Sequence, residues 1–214
     1  MAQKVMKKAS PRGLLKQPLR HRFFALRHGE SKANVAKIII SDPKVGTKKY
    51  GLTKAGRAAV KRTGSRFIKS ASSRVVIVSS DFSRARETAQ VFAKTLRKAG
   101  LRCPVQLSTA LRERRFGSLE GGSDSRYNEV WSKDRRNAAA RPFGAESAKA
   151  VQIRTAKLVS RLDHDLPDGA DVVLVSHGDA LQILQTAFQG ISAASHRSLS
   201  HLDRAELRAL NPEV

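Results

Sequence analysis

The chain has 214 residues, 40% of them hydrophobic, which suits one globular domain with a sizeable core. Cys103 is the only cysteine, so an intrachain disulfide is excluded, and no apolar run approaches the roughly 18 residues that a membrane span requires. With 41 Lys and Arg against 18 Asp and Glu, the net charge of +23 favours association with polyanions such as nucleic acid. We expect a cytoplasmic protein with a solvated basic surface. The oligomeric state stays open.

Residues 1–22 differ in composition from the rest of the chain, because they contain Lys and Arg but no Asp or Glu. Pro11, Gly13 and Pro18 argue against one long helix in this leader. We predict that residues 1–22 form a flexible basic tail and that residues 23–214 form the folded domain. A mitochondrial transit peptide is the alternative, but Ser10 is the only serine of the leader and no amphipathic stretch is continuous.

Short β-type runs alternate with helical patterns from residue 23 onward. In chain order, we predict a strand at 23–26, a helix at 54–71, a strand at 74–78, a helix at 83–99, a strand at 105–107, a helix at 146–166, a strand at 171–176 and a helix at 179–188. Residues 205–210 fit either element. The alternation predicts an α/β fold, a three-layer sandwich in which helices flank a mainly parallel β-sheet.

Polar side chains follow the predicted strands at the points where the strands end. His28 follows the first strand, Arg84 the second and His177 the last, while Glu113 lies a few residues beyond the third. Arg27 precedes His28 directly. Because sites in open α/β sheets form beyond the carboxyl ends of the strands, these five side chains are expected to converge.

This set of side chains matches the needs of phosphoryl transfer. A neutral imidazole can attack phosphorus, arginines match the geometry of phosphate oxygens, and a carboxylic acid can protonate the leaving oxygen. Gly29 and Gly178 would let backbone N–H groups approach the anion. The helix predicted to start near Asp179 would direct its positive end towards the site.

Four motifs in chain order resemble those of the histidine phosphatase superfamily, branch 1, the phosphoglycerate mutase-like family. They are LRHGES at residues 26–31 with Asn34 beyond it, SDFSRARETA at 80–89, LRERRFGSLEG at 111–121 and VSHG at 175–178. The similarity runs from about residue 23 to residue 210. A three-letter RHG would be weak evidence by itself, whereas the ordered set is specific.

The resemblance implies a role for each matching position. His28 would be the nucleophile that becomes phosphorylated, and Glu113 would be the proton donor. The phosphate would be held by Arg27, Asn34, Arg84, His177 and Gly178. Of these, Arg27, Arg84 and His177 would also count as catalytic. The resemblance implies no metal and no cofactor, and the sequence shows no metal-ligand spacing of His, Cys and carboxylate residues.

Three functions are compatible with this set of residues. We favour a metal-independent phosphatase that hydrolyses phosphomonoesters of small phosphorylated metabolites. Phosphoglycerate mutase activity is the first alternative, but residues 37–51 lack the Phe-Thr-Gly-Trp-type segment of the glycolytic mutases, and residues 122–146 are short for their insertion. A non-enzymatic binder of nucleic acid or phosphoprotein is the second alternative, although all the motif positions are intact.

Loops 35–51 and 117–145 are expected to set the substrate preference. They hold basic residues that predict a cationic rim suited to a substrate with extra negative charge. These residues are Lys37, Lys44, Lys48, Lys49, Arg126, Lys133, Arg135, Arg136 and Arg141. The remaining histidines lack such sequence context and are interpreted as ordinary surface or core residues. They are His21, His164, His196 and His201.

Overall fold

Five strands form one sheet in the computed structural model, which describes residues 14–211. The strands are β1 (Arg22–Arg27), β2 (Val75–Ser79), β3 (Val105–Leu107), β4 (Asp171–Ser176) and β5 (Leu207–Ala209). Their order across the sheet is β3-β2-β4-β1-β5. The first four strands in this order are parallel, and β5 pairs antiparallel with β1. The predicted mainly parallel sheet is therefore confirmed.

Helices cover both faces of the sheet. They are α1 (Lys32–Ala36), α2 (Pro43–Gly46), α3 (Lys54–Phe67), α4 (Ser83–Lys98), α5 (Tyr127–Asp134), α6 (Ala148–Asp165) and α7 (Gly178–Phe188). Helices α6 and α7 pack on the face that carries Phe23 and Leu174, whereas α3 and α4 pack on the opposite face with Leu26 and Val173. These layers confirm the three-layer sandwich.

Parallel register brings the carboxyl ends of three strands to one edge. Arg27 at the end of β1 pairs with Ser176 at the end of β4, and Ser79 at the end of β2 pairs with Val175. Strands β2 and β4 are buried along their whole length, as expected for central strands covered on both faces. The chain segments that follow β1, β2 and β4 therefore begin side by side.

Several element boundaries differ from the predicted ones. Helix α6 begins after Ser147, whose side chain caps it by accepting a hydrogen bond from Ala150 N at 3.2 Å, and not at residue 146. Helix α3 ends at Phe67, before the predicted residue 71. Residues 205–210, left open by pattern, contain the edge strand β5. The short helices α1, α2 and α5 carried no clear signal in the sequence.

The end of the predicted tail packs against the domain. Leu15 and Leu19 are buried in the core on the α6 side of the sheet, and β1 already begins at Arg22. The folded part thus includes residues 14–22, which the prediction assigned to a flexible tail, because Leu15 and Leu19 cover apolar surface. Residues 1–13 lie outside the described residues. Within residues 14–211, no helix has the length and apolar character that crossing a membrane requires.

Candidate active site

His28 lies directly beyond β1 and is buried. Its Nδ1 donates a hydrogen bond to Gly29 O at 2.8 Å, and its Nε2 accepts one from Arg84 Nε at 3.1 Å. Burial, and then the positive charges of Arg84 and Arg27, hold the pKa of His28 well below its ordinary value. The imidazole is therefore neutral, with its nucleophilic lone pair on Nε2.

Two arginines with unpartnered N–H groups accompany His28. Arg84, in the first turn of α4, donates from Nη2 to Ile40 O at 3.0 Å, and Arg27 donates from Nη1 to Leu202 O at 2.7 Å. Within residues 14–211, Arg84 Nη1 and Arg27 Nε are buried without a hydrogen-bond partner. Burying charged donors without partners is costly, so these groups fit an anion that would complete their hydrogen bonds.

His177 lies beside His28 with its ring fully buried. The ring centroids of the two histidines are 5.2 Å apart. Ser80 Oγ lies 2.9 Å from His177 Nε2 and accepts a hydrogen bond from Phe82 N. Nδ1 of His177 is buried and has no hydrogen-bond partner among residues 14–211. Ser80 thus orients His177, a role that sequence analysis did not assign.

Glu113 supplies a buried carboxyl group. Its Oε1 accepts hydrogen bonds from Arg114 N at 2.9 Å and from Ala180 N at 3.2 Å. Burial, and then the negative charge of Asp179, raise the pKa of Glu113 above its ordinary value. The protonated form that an acid catalyst needs therefore persists to higher pH than in an exposed glutamate.

Six of the seven predicted site residues line a single cavity of about 360 Å³. They are Arg27, His28, Asn34, Arg84, Glu113 and Gly178. The seventh, His177, does not line the cavity but is in ring contact with His28. The fold thus brings together side chains from five separate segments of the chain.

The two site glycines have different functions in the structure. The amide of Gly29 donates to Thr88 Oγ1 at 3.1 Å, so the expectation that it approaches the anion is wrong. Glycine is needed there for packing, because a Cβ would lie 2.7 Å from Gly56 O. Gly178 lines the cavity, and a Cβ on it would lie 3.2 Å from Cζ of Arg27.

Asn34 is held by a capping box at the start of α1. Its Oδ1 accepts hydrogen bonds from Ser31 N at 3.0 Å and from Ser31 Oγ at 2.9 Å. Its side-chain amide nitrogen forms no hydrogen bond with the described part of the chain. That nitrogen is therefore a donor available to a molecule in the cavity.

His201 belongs to the site, and its interpretation as an ordinary surface or core histidine is wrong. It lines the cavity, and its Nε2 accepts a hydrogen bond from Arg27 Nη1 at 2.7 Å. Burial, and then Arg27, lower the pKa of His201 to about 4, so the ring is neutral and can accept. His201 lies in the segment between α7 and β5, far from any predicted strand end. No sequence pattern therefore marked it as a site residue.

The predicted cationic rim is not part of the cavity. Both predicted specificity loops reach it, but they contribute Ile38 and Ile40 from the first, and Asp124, Tyr127 and Trp131 from the second. None of the lysines and arginines named for the rim, all of which are described residues, lines it.

A buried ion-pair network supports the wall next to Glu113. Arg114 is fully buried and binds Asp134 of α5 through two hydrogen bonds, at 2.6 and 2.8 Å. Its Nη1 also reaches Asp179 Oδ2 at 3.3 Å. Trp131 Nε1 donates to the other oxygen of Asp179 at 2.9 Å. Arg114 is therefore a structural residue that anchors α5 against the start of α7.

Replacing Asp134 with alanine is expected to lower the free energy of unfolding by about 3–5 kcal/mol, because the Arg114 charge would stay buried without its main partner. Urea denaturation measures this loss. Glu129→Ala is the matched control, since Glu129 forms an exposed pair with Arg126 on the same helix. The Glu129→Ala variant should leave the urea midpoint of unfolding unchanged. Equal midpoints for the two variants would contradict the structural role of Arg114.

A mainly parallel sheet that brings a neutral histidine, the buried Arg84, the half-buried Arg27 and a buried glutamate around one cavity defines an α/β protein with a cationic pocket at the carboxyl edge of its sheet. The model of the histidine phosphatase superfamily (branch 1) matches residues 23–213, and the chain belongs to this superfamily. The resemblance found in the motifs is thereby confirmed.

Curated and solved relatives include both mutases and phosphatases. The chain is 33% identical over 183 residues to "Probable phosphoglycerate mutase GpmB" of Photorhabdus laumondii, covering 82% of this chain and 78% of that protein. It is 28% identical to a mycobacterial glucosyl-3-phosphoglycerate phosphatase solved with VO3, with a TM-score of 0.72 over 87% of this chain and 89% of that one. The alpha-ribazole phosphatase of Shigella flexneri, at 23% identity, 88% and 89% coverage and a TM-score of 0.67, shares the fold.

Proposed function

We propose that the protein is a phosphatase that hydrolyses phosphomonoesters of small metabolites through a phosphohistidine at His28, without a metal ion. The observation that carries this proposal is the neutral imidazole of His28 beside Arg27 and Arg84, each of which has a buried N–H group without a hydrogen-bond partner among residues 14–211. A nucleophile and charged donors for phosphate oxygens are then present in one cavity. The phosphatase among the relatives supports the reaction class.

The reaction would proceed in two steps. In the first, Nε2 of His28 bonds to phosphorus while the bond to the leaving oxygen breaks, and Glu113 gives its proton to that oxygen. In the second, the Glu113 carboxylate takes a proton from water, the water oxygen attacks phosphorus, and the P–N bond breaks. Arg27, Arg84 and His177 would bind the transferring phosphoryl oxygens throughout, with Asn34 and the amide of Gly178 as further donors.

Mutase activity is the second candidate, and the relatives named phosphoglycerate mutase favour it. A mutase must return the phosphoryl group to its substrate before water reaches the phosphohistidine. The short segment 122–146 and the absence of the mutase-type segment after the first motif support hydrolysis instead. Assaying 3-phosphoglycerate with a bisphosphoglycerate primer tests this candidate, because a mutase yields the 2-isomer and a phosphatase yields inorganic phosphate.

A binding protein for nucleic acid or phosphoprotein remains the third candidate, on the strength of the net charge of +23. Such binding would weaken steeply with salt. A purely binding function requires that the cavity have no catalytic activity, which conflicts with the intact set of side chains lining it.

Hydrolysis of p-nitrophenyl phosphate in excess EDTA tests the proposal. We expect turnover between pH 5 and pH 8 that is unchanged by the chelator, because protein donors alone would neutralise the phosphate. Addition of Mg²⁺ or Zn²⁺ after EDTA serves as the control. Activity that disappears with EDTA and returns with a metal would contradict the metal-independent reaction.

A further inference from the structure

The leaving group of a substrate must lie in the part of the cavity that the phosphate does not fill. If His28, Arg27 and Arg84 hold the phosphoryl group, with Asn34 as a further donor, the rest of the cavity is lined chiefly by Ile38, Asp124, Tyr127 and Asp179. These side chains therefore contact whatever alcohol the phosphate is attached to, and their chemistry restricts its identity.

The charges in this part of the cavity are negative. The carboxylate of Asp124 has no hydrogen bond or ion pair with the described part of the chain. Asp179 is already bonded to Trp131 and Arg114. The cavity lining, all of it within residues 14–211, contains no lysine, and its only arginines are the two proposed to bind phosphate. A second anionic group on the substrate would meet repulsion without a compensating partner.

The same surface offers hydrogen bonds for hydroxyl groups. The carboxylate of Asp124 is an acceptor for hydroxyl groups. The phenol of Tyr127 has its pKa raised by burial and then by Glu113, so it stays protonated and can donate. Ile38 adds an apolar contact for a carbon skeleton.

Stacking of a substrate ring on Trp131 is disfavoured. Tyr127 stacks on the Trp131 ring with centroids 5.3 Å apart, and the guanidinium of Arg197 lies 3.8 Å over the same ring. The indole ring therefore already has two packing partners. Recognition in this part of the cavity therefore depends on hydrogen bonds and charge.

We propose that the site selects phosphomonoesters whose leaving alcohol carries hydroxyl groups and no second anionic group, as in a polyol or sugar monophosphate. This inference rests on the proposed phosphatase function. It reverses the preference that the basic residues of loops 35–51 and 117–145 predict from sequence.

Three substrates of equal carbon number test the inference. Glycerol 3-phosphate and 3-phosphoglycerate differ in one terminal group, a hydroxymethyl group against a carboxylate, and propyl phosphate lacks both. We expect kcat/KM for glycerol 3-phosphate to exceed that for 3-phosphoglycerate by at least about tenfold, equivalent to about 1.4 kcal/mol. The kcat/KM for glycerol 3-phosphate should also exceed that for propyl phosphate. A value for 3-phosphoglycerate equal to or above that for glycerol 3-phosphate would overturn the inference.

The variant Asp124→Asn tests whether Asp124 causes the discrimination between glycerol 3-phosphate and 3-phosphoglycerate. It should reduce the ratio of kcat/KM for glycerol 3-phosphate to that for 3-phosphoglycerate by about tenfold, since the repulsive charge is removed. Asp165→Asn is the matched control, because it removes the same charge from an exposed position outside the cavity, and it should preserve the ratio. An unchanged ratio in Asp124→Asn overturns the assignment. His28-dependent hydrolysis of p-nitrophenyl phosphate, measured in parallel, separates failure of this inference from failure of the phosphatase proposal.

Discussion

The variant His28→Ala is expected to hydrolyse p-nitrophenyl phosphate at least about four orders of magnitude more slowly than the wild type, because loss of a nucleophile removes the covalent route. The remaining arginines would still bind phosphate, so KM should change far less than kcat. Initial rates with enzyme at high concentration measure the difference.

A matched control separates this effect from general damage. His164 is exposed and, within residues 14–211, pairs with its neighbour Asp165, so His164→Ala should retain full activity. Wild-type protein mixed with a ³²P-labelled phosphoester and quenched in alkali should carry label that acid removes, as expected for a phosphohistidine, and His28→Ala should carry none. Activity of His28→Ala within tenfold of the wild type, or label retained by it, would exclude His28 as the nucleophile.

The positions that sequence predicted well are those fixed by the ends of buried strands. His28 and His177 follow β1 and β4, whose apolar character sets their place in the sheet. Parallel pairing then dictates that the residues beyond these ends are neighbours. The sequence could therefore predict that the two histidines are neighbours, but it could not predict the distance between their rings.

The features that sequence missed depend on contacts between distant segments. His201 reaches Arg27 because the chain between α7 and β5 passes over the cavity, and no local pattern encodes that path. The composition of loops 35–51 and 117–145 was misleading about the charge of the cavity lining. The loops contain many basic residues, but the loop conformation decides which residues reach the cavity, and those include Asp124 and Tyr127.

The variant Glu113→Gln is expected to lower kcat/KM for alkyl phosphoesters by roughly 10²–10⁴-fold, because the leaving alkoxide would lose its proton donor. The same substitution should change kcat/KM for p-nitrophenyl phosphate little, since p-nitrophenolate leaves without protonation. With this aryl substrate, the variant should also release a burst of p-nitrophenol and then turn over slowly. Glutamine cannot take a proton from the water that hydrolyses the phosphohistidine.

The pH dependence of kcat/KM adds a second test of the Glu113 assignment. Because burial raises the pKa of Glu113, the wild-type value for an alkyl phosphoester should fall as pH rises through that raised pKa and the donor proton is lost. The lowered pKa of His28 keeps the nucleophile neutral, so the fall on the acid side should come only below the ordinary histidine range. Glu113→Gln should lose the alkaline fall and retain the acid one, with substrate ionisation common to both proteins. An alkaline fall that persists in the variant, or an equal loss for alkyl and aryl substrates, would mean that another group protonates the leaving oxygen.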